Sequence, residues 1–405
     1  MREKAATEAL TKAELKAEAN RQVGHHRLEL IQLSLKIHAN PELAFREKKA
    51  STWLTGYLKK NGFRVEKGVA NLPTAFKAVY GGGQPVIALL AEYDALPEIG
   101  HACGHNIIGV SAAGAGVASR CVVDSCGGTV AVLGTPAEEL FGGKDTMLKA
   151  GVFDAVDAAM IVHPGRRNTT ITKALACIGL EVEFFGKAAH AAAHPEQGIN
   201  ALDAMILAFN ALNSLRQHIK DKARIHGIIT RGGDAANIVP AHTAATLLVR
   251  APDNAYLDEL KQKVLNCFVG AAQASGTRLD HKWAETAYAP MNNNLSLAEL
   301  FSQNMESIGR RVEPFEPRSG FGSTDMGNVS QVVPAIHPTV AIAPSDVPLH
   351  SVEFTQAAAS ESGHTGLLDA ARALAMTVVD LLSEPEALVR VKEDFASSGC
   401  RALRS

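Results

Sequence analysis

The 405-residue sequence has little that is typical of a membrane, secreted or nucleic-acid-binding protein. Its 40 Lys and Arg residues nearly balance 42 Asp and Glu residues, so a net charge of −2 gives no attraction to nucleic acid or to an anionic membrane. No run approaches the roughly 18 consecutive apolar residues that a membrane-spanning helix needs. The N-terminal segment is charged and lacks the apolar core of a secretory signal. We therefore expect a cytoplasmic globular protein with no nucleic-acid or membrane partner.

Cysteine is also sparse. Six residues in so long a chain are too few for a disulfide framework, and Cys121 and Cys126 have no matching Cys or His pair at the spacing of a zinc ribbon. Free cysteine is commonly a buried and inert side chain, and we expect this of five of the six. Cys103 is the exception, because His101 and His105 flank it in the segment HACGH.

What the sequence does contain is a series of short apolar runs separated by helical patterns. The runs cover residues 85–90, 128–134 and 158–162. Continuous apolar runs of this length are typical of strands that are buried on both faces. The small-residue-rich segment 107–120 and the apolar segment 366–382 have helical patterns. Together they predict an α/β fold with a central, mostly parallel sheet flanked by helices.

The middle of the chain follows a different pattern. Residues 179–185 and 246–250 alternate between apolar and polar side chains, and a well-patterned helix lies between them. Alternation is typical of antiparallel strands with one solvated face. We therefore predict an inserted α+β domain at residues 174–288, which leaves residues 1–173 and 289–405 to the α/β domain.

Side chains that bind metals follow each of the three apolar runs. The HACGH segment follows the first run, Glu138 and Glu139 follow the second, and His163 follows the third. Ligands of open α/β sheets bind outside the carboxyl ends of the strands, so these side chains are expected at one edge, where His364 is a further candidate. Each motif is weak alone. Together they predict a metal site where one glutamate binds metal and its neighbour activates a water molecule.

Seven motifs together carry a family resemblance: AEYDALP, HACGHN, GTPAEE, HPG, GKAAHAAAHPEQGINALDA, NIVP and SGHT. They resemble the di-zinc amidohydrolases and metallopeptidases of the aminoacylase and carboxypeptidase-G type. Within that family they are most similar to the subgroup of β-alanyl-lysine dipeptidase, aminobenzoyl-glutamate hydrolases and auxin-conjugate hydrolases. The resemblance implies a metallopeptidase catalytic domain with an inserted ferredoxin-like lid and dimerisation domain, and hence a homodimer. It also implies two divalent metal ions per subunit and an amide substrate, a dipeptide or N-acyl amino acid, with a free carboxylate.

The same resemblance implies roles for individual residues. The implied metal ligands are Cys103, His105, Glu139, His163 and His364. Glu138 matches the general base, and Asp94 matches a carboxylate that orients a metal ligand. His190 matches a histidine that stabilises the substrate oxyanion, with His194 as its rival, and the implied substrate-binding residues are Asn237 and Arg250. A ligand set of this kind suits zinc, and it is compatible with manganese or cobalt.

Two other functions fit parts of the sequence. A thiol hydrolase would use Cys103 as nucleophile with His101 or His105 as base, but it leaves the glutamate pair without a role. A small-molecule-binding protein derived from an inactive hydrolase would be expected to lose the base or several ligands, and the sequence retains them all. We therefore predict a metal-dependent amidohydrolase or dipeptidase.

Overall fold

The computed structural model describes residues 10–139, 142–314 and 322–398. These residues form two compact units. The smaller unit takes in Lys173–Pro290 and residues 322–327, and the larger unit takes in the other described residues.

Helices dominate the larger unit, and side chains cap several of them. Thr11 forms a capping box with Glu14 at the start of the first helix. Ser360 accepts a hydrogen bond from the amide of Gly363 at the start of the helix Glu361–Ser383. In the described ranges the helices are α1 (Lys12–His25), α2 (Arg27–His38), α3 (Lys48–Lys60), α4 (His105–Ala118), α5 (Arg120–Cys126), α6 (Gly143–Lys149), α7 (Ala201–Leu215), α8 (Asn254–Ser275), α9 (Leu295–Ser307), α10 (Met326–Ser330), α11 (Val352–Ala358), α12 (Glu361–Ser383) and α13 (Pro385–Ser397).

The strands of the described ranges are β1 (Arg64–Lys67), β2 (Phe76–Gly82), β3 (Val86–Ala91), β4 (Gly128–Gly134), β5 (Ala158–Met160), β6 (His163–Gly165), β7 (Ala176–Phe185), β8 (Arg224–Arg231), β9 (His242–Ala251), β10 (Arg278–Trp283), β11 (Ala335–Ile336) and β12 (Thr339–Ala341). Six of them form the main sheet in the order β1-β2-β4-β3-β5-β11. Strand β3 is parallel to β4 and β5, and β5 is parallel to β11, whereas β1 and β2 pair antiparallel. The predicted α/β fold with a mostly parallel central sheet is confirmed.

The centre of this sheet is buried, as its apolar sequence predicts. Ile87 and Leu89 of β3 are fully buried, and α4 packs against this strand. At Gly109 of α4 an added Cβ atom would lie 2.7 Å from the carbonyl oxygen of Glu92, so glycine permits this close approach. In the described chain, His105–Cys126 is the one segment long and apolar enough to cross a membrane. Its apolar window is 89% buried inside the protein, as expected for a helix of the core.

The smaller unit has the predicted ferredoxin-like α+β fold. Its four strands form an antiparallel sheet in the order β10-β7-β9-β8. Helix α7 connects β7 to β8, and α8 connects β9 to β10. Apolar side chains of the sheet pack with those of the two helices, among them Phe184 and Phe268 with ring centroids 6.2 Å apart. Strand β8 lies at the edge of the sheet.

Candidate metal centre

Four predicted site residues of the larger unit lie at the carboxyl ends of neighbouring strands. Asp94 follows β3, Glu138 and Glu139 follow β4, and His163 begins β6 just after β5. The parallel register places these ends side by side, since Ala91 pairs with Gly134 across β3 and β4. The sheet topology thus delivers three segments to one edge, as expected for a ligand site in an open α/β sheet.

Gly104 lies between Cys103 and His105 and allows their turn to reach this edge. Gly104 has φ 72°, a left-handed conformation that favours glycine. A Cβ atom at this position would lie 2.5 Å from Cγ of Pro164. The glycine therefore lets the turn pack directly against the strand that begins at His163, whose ring centroid is 5.7 Å from that of His105.

His105 is fully buried and fixed in one orientation. Its Nδ1 lies 2.9 Å from Oδ1 of Asp94 and donates a hydrogen bond to that carboxylate, which leaves Nε2 to act as a ligand atom. Nε2 lies 3.8 Å from Oε1 of Glu139, and in the described chain neither atom has a hydrogen-bond partner. Burial alone would lower the pKa of His105, but the Asp94 carboxylate raises it well above its usual value. The carboxylates around the His105 ring therefore favour a positive charge at this position.

His163 is oriented in the same way. Its Nδ1 donates a hydrogen bond to the carbonyl oxygen of Pro164 at 2.6 Å, so its Nε2 is the available ligand atom. Burial, together with the nearby His105, lowers the pKa of His163. The neutral imidazole that results is the form that binds metal ions.

Three overlapping groups of ligand atoms that come wholly from the larger unit occur at this edge. Within each group the ligand atoms all lie within 4.8 Å of one another, and the groups are Cys103, His105 and His163; Cys103, Glu139 and His350; and His105, Glu138 and Glu139. Cys103, His105 and Glu139 each belong to two groups. Groups that share ligands in this way can hold two cations a few ångströms apart.

The structure brings His350 into this cluster and leaves the predicted ligand His364 outside it. Nε2 of His350 lies 2.8 Å from Sγ of Cys103 and 3.9 Å from Oε1 of Glu139. Its amide donates to the carbonyl oxygen of Ala102, which holds the 350 loop beside the Cys103 turn. His364 belongs to none of the ligand groups among the described residues. It is fixed in the first turn of α12, where burial and the nearby Arg27 lower its pKa.

The environment of Cys103 disfavours a free thiolate. Burial raises the pKa of the Cys103 thiol well above its ordinary value, against the smaller opposing effect of His105. A nucleophilic cysteine requires a lowered pKa, so the raised pKa of Cys103 argues against the thiol-hydrolase alternative. A bound cation would instead stabilise the thiolate as a ligand.

A buried ion pair borders the ligand cluster, and sequence reasoning missed it. Nζ of Lys144 in α6 lies 2.5 Å from Oε1 of Glu92, and both side chains are fully buried. Burial alone would raise the pKa of Glu92, but Lys144 and His105 lower it to about 2. His337, which follows β11, is also buried, and burial lowers its pKa to about 3. Lys144 stands beside Asp145 in a short polar helix, so no local signal in the sequence marks it as half of a buried pair.

Two buried carboxylates hold the segment that carries the glutamate pair. Oδ2 of Asp94 accepts a hydrogen bond from the amide of Glu139 at 3.1 Å, and Oε1 of Glu47 accepts one from the amide of Ala137 at 3.0 Å. Burial raises the pKa of Glu47 to about 7. Sequence reasoning assigned no role to Glu47, because its partner lies 90 positions further along the chain.

The predicted residues His190 and Asn237 are neighbours within the smaller unit. The carbonyl oxygen of Asn237 accepts a hydrogen bond from the amide of Ala191 at 3.0 Å. Nδ1 of His190 accepts from the amides of Ala192 and Ala193 at 3.3 and 3.1 Å. The hydrogen of this exposed imidazole is therefore on Nε2, where it can be donated to an oxygen of a ligand. The role predicted for His190, with the exposed His194 as its rival, stays a prediction.

Arg250, the other predicted substrate-binding residue, lies on β9 of the same unit. Its Nη1 donates a hydrogen bond to Oγ of Ser323 at 2.8 Å, and its Nε lies 3.3 Å from Nε2 of His226. Partial burial is the largest cause of the lowered pKa of His226, and the nearby Arg250 and Arg216 lower it further. The guanidinium has no carboxylate partner among the ion pairs of the described chain, so it retains the capacity to bind an anionic group.

The sequence is similar to that of known hydrolases over most of its length. Residues 176–272 match the peptidase dimerisation domain. The chain is 38% identical to the Xaa-Arg dipeptidase of Homo sapiens over 90% of this chain and 88% of that protein. It is 31% identical to a p-aminobenzoyl-glutamate hydrolase component of Escherichia coli (strain K12), over 89% of this chain and 90% of that one.

Solved structures share the fold of the chain. The aminobenzoyl-glutamate utilization protein of Klebsiella pneumoniae has a TM-score of 0.72 at 18% identity, covering 90% of this chain and 98% of that one. The Bacillus subtilis YXEP protein, described as a dinuclear metal binding peptidase, has a TM-score of 0.68 at 20% identity, covering 89% and 99%.

Proposed function

The chain belongs to the M20 family of metal-dependent amide hydrolases, and on that premise we propose that it is a dipeptidase whose catalytic centre holds two divalent cations. The overlap of three ligand groups at one sheet edge is the observation that carries this function. The dipeptide substrate is supported by the identity to Xaa-Arg dipeptidase over 90% of the chain. We therefore propose dipeptides that end in a basic residue as the first substrates to test.

The residues at the centre fit divalent cations. Nε2 of His105 and Oε1 of Glu139 are buried atoms without hydrogen-bond partners in the described chain. Each such atom costs about 1–3 kcal/mol of stability, and a shared cation would satisfy both. The residues that would hold the cations are Cys103, His105, Glu139, His163 and His350. We propose zinc, because thiolate, imidazole and carboxylate ligands suit it, with manganese or cobalt as alternatives.

When bound, the cations would supply Lewis acidity that polarises the substrate carbonyl and lowers the pKa of a water molecule. Glu138 is the proposed general base, which takes a proton from the attacking water and returns it to the leaving amine. Asp94 holds the His105 ring through the hydrogen bond at Nδ1. His190 is the proposed donor to the substrate oxyanion through its Nε2 hydrogen.

Two residues of the smaller unit complete the proposed chemistry. Asn237 would bind the substrate carbonyl, and Arg250 would bind the free carboxylate of the C-terminal residue. An arginine can bind a carboxylate through two parallel hydrogen bonds. These assignments rest on the family resemblance together with the accessible guanidinium of Arg250.

We also propose that the protein is a homodimer formed through the smaller unit. The match of residues 176–272 to the peptidase dimerisation domain supports this assembly. The edge strand β8 also exposes Ile228 (65%) and Ile229 (42%), an arrangement typical of an edge that pairs with another chain. We also propose a cytoplasmic location, as the sequence predicts.

A metal-reconstituted activity screen tests this function. The purified protein is stripped with a chelator, reloaded with zinc, manganese or cobalt, and offered Xaa-Arg and Xaa-Lys dipeptides, p-aminobenzoyl-glutamate and N-acetyl-cysteine. We expect hydrolysis that is lost on chelation, restored by metal and fastest with the dipeptides. Cleavage of the acylated compounds alone would move the substrate class to N-acyl amino acids. Silence with every metal and substrate would contradict the enzymatic function.

A further inference from the structure

Glu47 lies at the start of α3 but its side chain does not cap that helix. As the residue before the first turn of α3, its carboxylate is placed to accept the free amides there, yet it makes no such hydrogen bond. Glu42 does this instead, with its carboxylate oxygens accepting from the amide of Lys49 at 2.8 and 3.0 Å and from that of Ala50 at 3.0 Å. The Glu47 carboxylate is therefore used elsewhere.

The fully buried Glu47 carboxylate connects three separate segments of the larger unit. Oε2 accepts a hydrogen bond from the hydroxyl of Thr74 at 2.9 Å. Oε1 accepts from the amide of Phe45 at 2.9 Å and from the amide of Ala137 at 3.0 Å. A buried carboxyl group requires such partners, and here one of them is the residue immediately before the proposed general base.

Ala137 has a backbone conformation that needs support. Its φ is 62°, in the left-handed region that alanine rarely adopts. Such a residue persists where its surroundings fix it, and these conformations cluster at active sites. The hydrogen bond from the Ala137 amide to Glu47 supplies one restraint. Two residues later, the Glu139 amide donates to Asp94. Glu138 therefore lies between two amides that buried carboxylates hold in place.

We propose that Glu47 is a positioning residue for Glu138: by holding the amide of Ala137, it fixes the backbone from which the general base projects. This role depends on the proposed function, since it requires Glu138 to act as the base. Displacement of a catalytic group by about 1 Å lowers the rate about a hundredfold. Loss of the Glu47 bond should therefore lower kcat, whereas the ligand residues, held by other contacts, should keep their cations.

The test compares substitutions at Glu47 with a matched substitution at Glu42. In zinc-loaded protein with its best dipeptide substrate, Glu47→Ala should lower kcat about a hundredfold. KM and the number of bound cations should not change. Glu47→Gln should stay within about threefold of the parent protein, because its carbonyl oxygen can still accept from both amides and its amide group can pair with Thr74. Glu42→Ala, which removes a carboxylate from the same helix end, should lower Tm but leave kcat unchanged.

A double mutant separates positioning from a general structural role. If Glu47 acts through Glu138, adding Glu47→Ala to Glu138→Gln should lower the residual kcat of Glu138→Gln by less than about threefold. If Glu47→Ala does not fold, Glu47→Asp retains the carboxyl group but is one methylene shorter, and it should lower kcat to an intermediate value.

The positioning role would be overturned by a normal kcat in both Glu47→Ala and Glu47→Asp, or by a loss of kcat in Glu47→Gln as large as that in Glu47→Ala. It would also be overturned if Glu47→Ala lost its cations, or if the effects of Glu47→Ala and Glu138→Gln on kcat multiplied in the double mutant. These outcomes differ from failure of the proposed function. That function fails if the parent protein hydrolyses no amide or if Glu138→Gln retains full activity. An inactive Glu138→Gln beside a fully active Glu47→Ala removes the positioning role alone.

Discussion

The proposed cation ligands, His350 excepted, are buried or half-buried, whereas His190 and Asn237 of the proposed substrate-binding region are exposed. In the larger unit, Cys103 and His105 are buried, and a buried carboxylate fixes the His105 ring. In the smaller unit, His190 and Asn237 are exposed, and His190 is oriented by backbone amides. Ligands of a cation must be held in place before it binds, because misplaced ligands reduce its affinity. Groups that contact a substrate must instead be accessible to it. The comparison predicts that substitutions in the two regions have different kinetic signatures.

The largest effect is expected at the general base of the buried region. Glu138→Gln should lower kcat by about a thousandfold or more, since general base catalysis contributes about 10²–10⁴. Cation content should be retained, because the amide keeps an oxygen and other residues supply the remaining ligands. Steady-state kinetics with elemental analysis of the same sample measures both. Near-normal turnover would remove Glu138 from this role.

The pair His350 and His364 tests the cation centre next. His350→Ala should reduce the bound cations below two per chain and lower kcat at least about a hundredfold, since loss of even a supporting interaction costs 10–100-fold. His364→Ala, the matched control fourteen positions away, should bind cations and turn over substrate like the parent protein. The reverse pattern would restore His364 as the ligand and contradict the geometry around Cys103.

A smaller effect, and one on KM, is expected in the exposed region. Arg250→Ala should raise KM about tenfold or more for a dipeptide, since hydrogen bonds to charged groups contribute about 1.5–3 kcal/mol. The same substitution should change KM little for the corresponding dipeptide amide, which lacks the carboxylate. Equal increases for both substrates would show that Arg250 does not recognise the carboxylate. Cation content should stay at the parent value.

The smallest effect on chemistry is expected at the edge strand of the smaller unit. Ile228→Lys places a charge on the exposed edge and should convert the proposed dimer to a monomer, as light scattering after size exclusion would detect. Ile206→Lys, an exposed residue of α7, serves as a matched control on the same unit. A parent protein that is already monomeric, or a dimer that both variants preserve, would contradict assembly through β8.

Sequence patterns predicted the buried parts of the fold better than the exposed parts. The apolar run 128–134 coincides with β4, because a strand buried on both faces leaves a continuous apolar signal. Strands β7 and β9 showed the alternation expected of antiparallel strands. Strands β8 and β10 did not, because nearly all of their side chains are exposed or half-buried and neither has one buried face. The ferredoxin-like topology therefore followed from the family resemblance, and the chain order of its strands confirms it.

The candidate site was predictable where strands deliver it and unpredictable where loops do. Cys103, Glu139 and His163 come to one edge because parallel strands end there. His350 is in a loop 247 positions from Cys103, its partner, and nothing local in the sequence distinguishes it from His364. Glu47 resembles an ordinary helix cap in the sequence. Its hydrogen bond to Ala137 appears only when the chain is folded.

The central claim is that side chains distant in the chain gather around two cations. Diffraction at the zinc absorption edge from crystals grown with zinc tests it most directly. We expect two anomalous peaks per chain, both within bonding distance of the cluster formed by His105, Glu139 and His350. Crystals that contain zinc elsewhere, or show no peak between these three side chains, would contradict it.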